Sequence, residues 1–280
     1  MAASESRPRI TMQDVDGVLL RTAFWAAKVD EGKRPLLFFN GIGANLELTH
    51  ALGDMFPDRD IITFDVPGVG KSPVTQWPYR PWMLARWARR LLDQFGIDEV
   101  DVMGVSWGGA LAQQFAFQYR NRVGKLILCA TTAGMTMVPG KPKSLSKMVD
   151  ARRYTDANYM RDNFATLYGD EADAQAGEHI TRLMPPDPKG YVFQLLAFIG
   201  WSSLPFIRFL RMPALVMMGD NDSIVPLANG HILKVALPNS RLHVVEGGGH
   251  LFLVTRAAET ADVIKGFLAE EDVPETLVAA

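Results

Sequence analysis

Residues 104–109 read GVSWGG and place Ser106 at the centre of a Gly-x-Ser-x-Gly pattern. The run before the serine, VDVMGV (100–105), is apolar and typical of a buried strand. The run after it, GALAQQFAFQYRNR (109–122), carries apolar residues at three- and four-residue steps, as an amphipathic helix does. The spacing therefore predicts a tight strand-to-helix turn with the serine at its tip.

Such a turn can expose the serine hydroxyl as a nucleophile. It holds Ser106 in a strained backbone geometry, and Gly104 and Gly108 remove side chains that would collide at the turn. The hydroxyl is then exposed at the carboxyl edge of the sheet, near helix amides that favour developing negative charge. We predict that Ser106 is a nucleophile. The alternative is a glycine-rich turn that carries a serine without a function.

The rest of the chain repeats the alternation of strands and helices. Short apolar runs bounded by Gly, Pro and Asp are typical of buried parallel strands. They are LLFFN (36–40), IITFD (61–65), KLILCA (125–130), ALVMMG (214–219) and RLHVVE (241–246). Helical patterns lie between several of them, which predicts an α/β fold with a mostly parallel central sheet and helices on both faces.

The alternation stops between residues 134 and 212. This segment has no strand signal, is rich in Met and aromatic residues, and has proline-rich joints at MVPGKPK (137–143) and MPPDPKG (184–190). We predict that 134–212 forms a helical cap inserted into a core domain made of residues 1–133 and 213–280.

Composition excludes several classes of partner. The 280 residues are 48% apolar and carry a formal charge of −2 with acids and bases mixed, so no basic stripe for nucleic acid is present. No apolar run approaches the roughly 20 residues of a membrane span. The first residues lack a secretory apolar stretch, and Cys129 is the single cysteine. We expect a cytoplasmic protein in which Cys129 packs in the core.

A serine nucleophile needs a base, and His250 is the predicted one. It ends EGGGH (246–250), directly after the last strand, where three glycines let the loop bend over the carboxyl edge of the sheet. His243 is predicted to be a structural side chain of a strand. The remaining histidines, His50, His179 and His231, are predicted to lie at the surface or to pack against neighbouring residues. They lack metal-ligand spacing, so no metal site is expected.

The base needs a carboxylate that orients it, and GDNDSIVP (219–226) offers Asp220 and Asp222. Asp222 lies farther into the loop, whereas Asp220 is better placed to cap the turn through its own backbone. Glu246 closes a strand and is a weaker candidate. With either aspartate, the chain order is Ser, Asp, His, which is the order of the α/β-hydrolase fold.

An oxyanion formed at the serine needs two N–H donors. One is predicted to be the amide of Trp107, the residue after the nucleophile. The other is assigned to the amide of Ile42 in NGIGAN (40–45), a flexible turn that follows a strand and contains Gly41. Asn40 is expected either to brace this loop by hydrogen bonds or only to form the turn.

Two patterns that resemble nucleotide sites fail on inspection. GVGKS (68–72) would need a glycine where Asp65 stands, and Pro73 follows where a helix should begin. GIGANL (41–46) has Leu46 in place of the third glycine of a dinucleotide fingerprint. No cofactor is therefore predicted.

Several longer stretches carry a family resemblance. They are FNGIGANLEL (39–48), FDVPGVG (64–70), GVSWGGALAQQFA (104–116), ATTAGMTMVPGKPK (130–143), GYVFQLLAFIGWSS (190–203) and GHLFLVTRAAE (249–259). In these stretches the chain resembles the intracellular poly(3-hydroxyalkanoate) depolymerases that act on medium-chain-length polyesters, a branch of the α/β-hydrolases. The resemblance implies a triad of Ser106, Asp222 and His250, and so selects Asp222 over Asp220.

The resemblance also implies a substrate, the storage polyester of granules, cleaved to 3-hydroxy acids or short oligomers. The Met and aromatic residues of the cap fit an apolar acyl pocket and a granule-facing surface, although packing of the cap on the sheet explains them equally. Two alternatives remain. One is an esterase, lactonase or carbon–carbon hydrolase of the same fold that acts on a small soluble substrate. The other is a noncatalytic binding protein with this fold.

Overall fold

The protein forms one eight-stranded sheet. The computed structural model describes residues 7–29, 31–148, 150, 152, 159–163, 177 and 181–271. The strands are β1 (Arg9–Val15), β2 (Val18–Trp25), β3 (Leu36–Phe39), β4 (Ile61–Phe64), β5 (Val100–Val105), β6 (Val123–Cys129), β7 (Ala214–Gly219) and β8 (Ser240–Val245). Their order across the sheet is β1-β2-β4-β3-β5-β6-β7-β8. The β1–β2 and β2–β4 pairs are antiparallel, and the other pairs are parallel.

The inner parallel strands β3 to β7 are buried on both faces, which explains their largely apolar sequences. In β3, Leu37 and Phe39 point into one hydrophobic cluster, whereas Leu36 and Phe38 point into the other. Successive side chains of a strand face opposite sides, so the sheet separates two cores. Helices must therefore cover both faces, as the sequence predicts.

The main helices of the core are placed accordingly. In chain order they are α1 (Leu52–Met55), α2 (Pro81–Gln94) and α3 (Trp107–Gln118), and, after the cap, α7 (Ala228–Ala236), α8 (Phe252–Thr255) and α9 (Ala257–Ala269). Buried residues of α2, α3 and α7 belong to the first cluster, and those of α1, α8 and α9 belong to the second. The central strand β5 runs directly into α3, so the carboxyl edge of the sheet carries the strand-to-helix turn at Ser106.

The segment between β6 and β7 contains helices and no named strand in its described part. The helices are α4 (Pro142–Met148), α5 (Tyr159–Asp162) and α6 (Pro188–Ala197), with a short 3-10 helix at Ile207–Phe209. One isolated bridge pairs Gly134 with Ser202. The expected helical character of the cap thus appears, and the domain limits 134–212 stay a prediction.

No helix within the described ranges combines the length and the apolar character that crossing a membrane requires. The longest, α2, has 14 residues.

Candidate active site

Ser106 occupies a strained position at the end of β5. Its backbone has φ 55° and ψ −119°, a region that residues other than glycine rarely adopt. The amide of Ser106 still donates to Cys129 O (2.8 Å), so the serine continues the sheet pairing of β5 with β6. Its carbonyl accepts from Gly109 N (2.9 Å) and from Thr131 Oγ1 (2.7 Å). These bonds hold the strained turn in place.

The predicted glycines of this turn are required by close packing. A Cβ atom at Gly104 would lie 2.3 Å from the carbonyl oxygen of Gly108. A Cβ atom at Gly108 would lie 2.2 Å from Phe39 O, because the start of α3 packs against the end of β3. Both distances are far below van der Waals contact, so only glycine fits at either position.

The structure brings His250 and Asp222 to Ser106. His250 Nε2 lies 3.0 Å from Ser106 Oγ, and His250 Nδ1 lies 2.7 Å from Asp222 Oδ2. The side chains of His250 and Asp222 are both buried. Because the carboxylate accepts a hydrogen bond from Nδ1–H, Nε2 is left with the lone pair that faces the serine hydroxyl. This is the hydrogen-bonded line that nucleophilic catalysis by serine requires.

The neighbouring Asp220 has a different partner from the one predicted. Its Oδ1 accepts from Gly247 N (2.7 Å) in the histidine loop, whereas the expectation was that it caps its own turn. The capping is performed by Asp222, whose Oδ1 accepts from Ile224 N and Val225 N, both at 2.8 Å. That part of the prediction is wrong, because one carboxylate has enough lone pairs to cap the turn and bind the histidine at once.

The predicted oxyanion donors flank the serine. A Cβ atom at Gly41 would lie 3.9 Å from Ser106 Cβ, so the loop that carries Ile42 packs beside the nucleophile. Asn40 Oδ1 accepts a hydrogen bond from the amide of Gly41 (2.9 Å). The amides of Ile42 and Trp107 have no acceptor among the described residues. Asn40 Nδ2 also donates to Asn45 O (3.4 Å), and both expected roles of Asn40 stay predictions.

The remaining titratable candidates lie elsewhere. His243 is in β8, His231 is in α7, and His50 follows a short 3-10 helix, whereas His179 lies outside the described residues. Cys129 is buried at the end of β6 among the apolar residues of the second cluster, and burial raises the pKa of its thiol. Within the described ranges, no group of three or more His, Cys, Asp or Glu side chains is placed to hold a metal ion.

Sequence reasoning missed a buried charge network beside the loop that carries Ile42. Asp65 accepts from Leu46 N (2.8 Å), from Lys71 N (3.3 Å) and from the Arg21 guanidinium (3.3 Å). Burial opposes ionisation and outweighs these donors, so the pKa of Asp65 is raised to about 6. Arg21 also pairs with Glu47 (2.7 Å). Burial alone would raise the pKa of Glu47, but hydrogen bonds from Arg21 and Asn45 lower it to about 2.

The cap contacts both sides of the turn at Ser106. The indole N–H of Trp107 donates to Gln194 O (3.1 Å), and its ring packs edge-on against Phe198 with centroids 5.0 Å apart. Trp107 is therefore engaged by the cap through its side chain. A small cavity beside the turn is lined by Phe39, Asn40, Gly41, Ala44, Phe64, Val66, Trp107, Leu111 and Gln194.

The sheet order and the Ser–His–Asp line together define a serine hydrolase of the α/β type. The sequence model described as alpha/beta hydrolase fold matches residues 34–257, and the chain belongs to this family. It is 44% identical to the poly(3-hydroxyalkanoate) depolymerase of Ectopseudomonas oleovorans over 92% of each chain. This similarity confirms the predicted resemblance and the predicted enzyme class, a carboxylic ester hydrolase.

More distant relatives have other substrates. The 2-hydroxymuconate semialdehyde hydrolase of Pseudomonas putida is 32% identical over 76% of this chain and 78% of its own length. The enol-lactonase of Burkholderia xenovorans superposes with a TM-score of 0.72 at 20% identity, over 93% of this chain and all of the lactonase chain. At that identity the structural likeness supports the fold alone.

Proposed function

We propose that this protein hydrolyses the ester bonds of poly(3-hydroxyalkanoate) storage polyester to 3-hydroxy acids or short oligomers. The observation that carries the chemistry is the hydrogen-bonded line from Ser106 through His250 to Asp222. The substrate is inferred from the 44% identity to a protein named as a depolymerase of this polyester. No cofactor enters the reaction.

The reaction begins with attack of Ser106 Oγ on the ester carbonyl carbon, while His250 Nε2 takes the hydroxyl proton. Asp222 stabilises the imidazolium, and the amides of Ile42 and Trp107 donate to the oxyanion. The carbon–oxygen ester bond then breaks, and His250 returns the proton to the leaving 3-hydroxyl of the next unit. His250 finally activates a water molecule, which hydrolyses the acyl-enzyme and releases the acid.

An exposed apolar stripe supports contact with a polymer surface. Val192, Leu195 and Leu196 are exposed at the i, i+3, i+4 spacing of one helix face, and Ile199, which is also exposed, lies in the turn just after the helix ends at Ala197. On the same helix, Gln194 and Ala197 face inward and are buried. Large apolar side chains that form a contiguous, solvent-exposed patch usually mark a binding surface. This stripe lies on the outside of the helix that contacts the site.

Two exposed tryptophans extend this surface. Trp77 and Trp82 lie on the segment that precedes and begins α2. Arg80, between them, donates to Leu196 O (3.1 Å) and Ile199 O (2.8 Å), so the segment is held against the end of α6. We infer that this surface rests on polyester granules inside the cell.

The substrate is tested by comparing purified protein on medium-chain-length polyester granules and on short p-nitrophenyl esters. The proposal expects release of 3-hydroxy acids from the granules. Turnover of short esters with no release from granules favours the small-substrate alternative, for which the 32% identity to a carbon–carbon hydrolase is the specific support. Failure of a fluorophosphonate probe to label Ser106 favours a noncatalytic binding protein.

A further inference from the structure

Gln194 of α6 makes two hydrogen bonds to segments that are distant in the sequence. Its side-chain Oε1 accepts from Gly43 N (2.9 Å), and its backbone carbonyl accepts from Trp107 Nε1 (3.1 Å). The residue is only 1% exposed. Because an N–H group can only donate, the carboxamide must turn its oxygen end toward Gly43.

These two bonds reach both segments that carry the proposed oxyanion donors. Gly43 directly follows Ile42 and adopts a positive φ of 69°, within a turn closed by a bond from Ala44 N to Gly41 O (3.2 Å). Trp107 is itself the second donor residue. One cap residue is therefore bonded to the loop on one side of Ser106 and to the helix start on the other.

We propose that Gln194 is a positioning residue that sets the geometry of the oxyanion hole from the cap. An oxyanion donor is effective only at about 2.7–3.1 Å from the position where the charge develops. Releasing Gly43 from Gln194 lets the amide of Ile42 leave that position, since the two residues share a peptide bond. The rate of acyl transfer then depends on the position of α6 relative to Gly43 and Trp107. This inference rests on the proposed chemistry of Ser106 and not on which ester is the substrate.

The loop has a second attachment to the cap, which separates positioning from simple docking. Asn45 Nδ2 donates to Arg182 O (3.1 Å), and Asn45 Oδ1 accepts from Met184 N (2.9 Å). Loss of the Gln194 side chain therefore leaves the far end of the loop tied to the cap. The expected defect is a local one at Ile42 and Gly43.

The test compares Gln194→Met with Ser203→Ala, using p-nitrophenyl butyrate and a trifluoromethyl ketone inhibitor of similar length. Met keeps the apolar volume but has no comparable acceptor. Ser203 donates to Gln113 Oε1 (2.6 Å), so its replacement removes a buried cap-to-core bond that lies far along α3 from the loop that carries Ile42. Thermal unfolding of both variants gives the stability control.

For Gln194→Met we expect kcat to fall by about 10- to 100-fold while KM changes less than about threefold, with inhibitor affinity falling in proportion to kcat/KM. Ser203→Ala should keep kcat within about twofold of wild type. Unchanged kcat in a folded Gln194→Met, or an equal loss in both variants, overturns the proposal. If Gln194→Met does not fold, Trp107→Phe tests the other bond with the same expected split, and an unchanged kcat there overturns it.

Wild-type turnover of p-nitrophenyl butyrate is measured without polyester. A failure of the polyester assignment and a failure of this inference are therefore seen in different assays.

Discussion

Asp222 Oδ2 lies 2.7 Å from His250 Nδ1, and the same carboxylate holds its own loop through two backbone amides. The aspartate therefore has a fixed orientation before any substrate binds. Since both side chains are buried, water does not compete for this bond. The tautomer that leaves Nε2 facing Ser106 follows from that single contact.

Replacing Asp222 by Asn should abolish most of the activity while keeping the fold. The amide oxygen still accepts from Ile224 N and Val225 N, but the NH2 group then faces Nδ1 and favours the wrong tautomer of His250. We expect kcat to fall by about 10³- to 10⁴-fold on a p-nitrophenyl ester. Asp220→Asn is the matched control, because its oxygen still accepts from Gly247 N and kcat should stay within about twofold. Equal losses in the two variants would count against the assignment of Asp222.

The close packing of Gly104 predicts a large loss of stability in Gly104→Ala. The added methyl group meets the carbonyl oxygen of Gly108 at 2.3 Å, so the turn must deform, at a cost of at least about 2 kcal/mol. Gly266 provides the opposite case, since a Cβ atom there meets nothing within 4 Å and the residue lies inside α9. Gly266→Ala should stabilise the protein by about 0.5–1 kcal/mol. Urea unfolding measures both, and a stable Gly104→Ala contradicts the packing argument.

The raised pKa of Asp65 predicts a specific pH dependence of stability. The folded protein keeps the proton up to a pKa of about 6, whereas the unfolded chain releases it near 3.8. Stability from this group is therefore complete below pH 3.8 and is lost as the pH rises through 6. The loss amounts to about 3 kcal/mol at most, because one pKa unit corresponds to about 1.4 kcal/mol.

Asp65→Asn removes this titration. We expect urea unfolding at pH 4 and at pH 7 to show that the free energy of unfolding of wild type, relative to that of the variant, decreases as the pH rises. If this difference in free energy of unfolding instead grows with pH, the ion pair with Arg21 outweighs burial in setting the pKa of Asp65.

The apolar stripe on α6 and the turn after it predicts that binding to polymer and ester chemistry can be separated. The double variant Val192→Ser with Ile199→Ser should adsorb less to polyester granules, by about 5- to 50-fold, because two apolar side chains lose their contact with the polymer. Its kcat on p-nitrophenyl butyrate should not change. Val235→Ser is the control, since Val235 is 87% exposed on α7, outside the stripe. Equal adsorption by all three proteins in a sedimentation assay argues against this surface.

The strand-to-helix turn and the histidine could be predicted because their signals are local. Gly104, Ser106 and Gly108 follow one another at a spacing that a single tight turn dictates, and His250 follows its strand through three glycines. Parallel strands place both at the same edge of the sheet, so their proximity follows from the fold. The α/β class was predictable for the same reason, since each of the inner parallel strands β3 to β7 is a short, largely apolar run of four to seven residues.

Gln194 and Asp65 could not be predicted because their roles depend on distant partners. Gln194 meets Gly43 across 151 positions, and nothing in the cap sequence gives the placement of α6 over the loop. A polar residue inside the apolar run VFQLLAF was the available signal. In the sequence Asp65 stands out only as a departure from a phosphate-binding pattern, whereas its ion pair joins the end of β4 to Arg21 of β2. The turn roles of Asp220 and Asp222 were misassigned because both fit the same short loop.

The central claim is that Ser106 cleaves polyester, and the direct measurement is the release of 3-hydroxy acids from medium-chain-length granules by wild type and by Ser106→Ala. Both proteins should show the same thermal unfolding, because the serine side chain contributes little to packing. We predict steady release by wild type and a decrease of several orders of magnitude in the variant. Comparable release by Ser106→Ala, or no release by a wild type that hydrolyses small esters, would contradict the account.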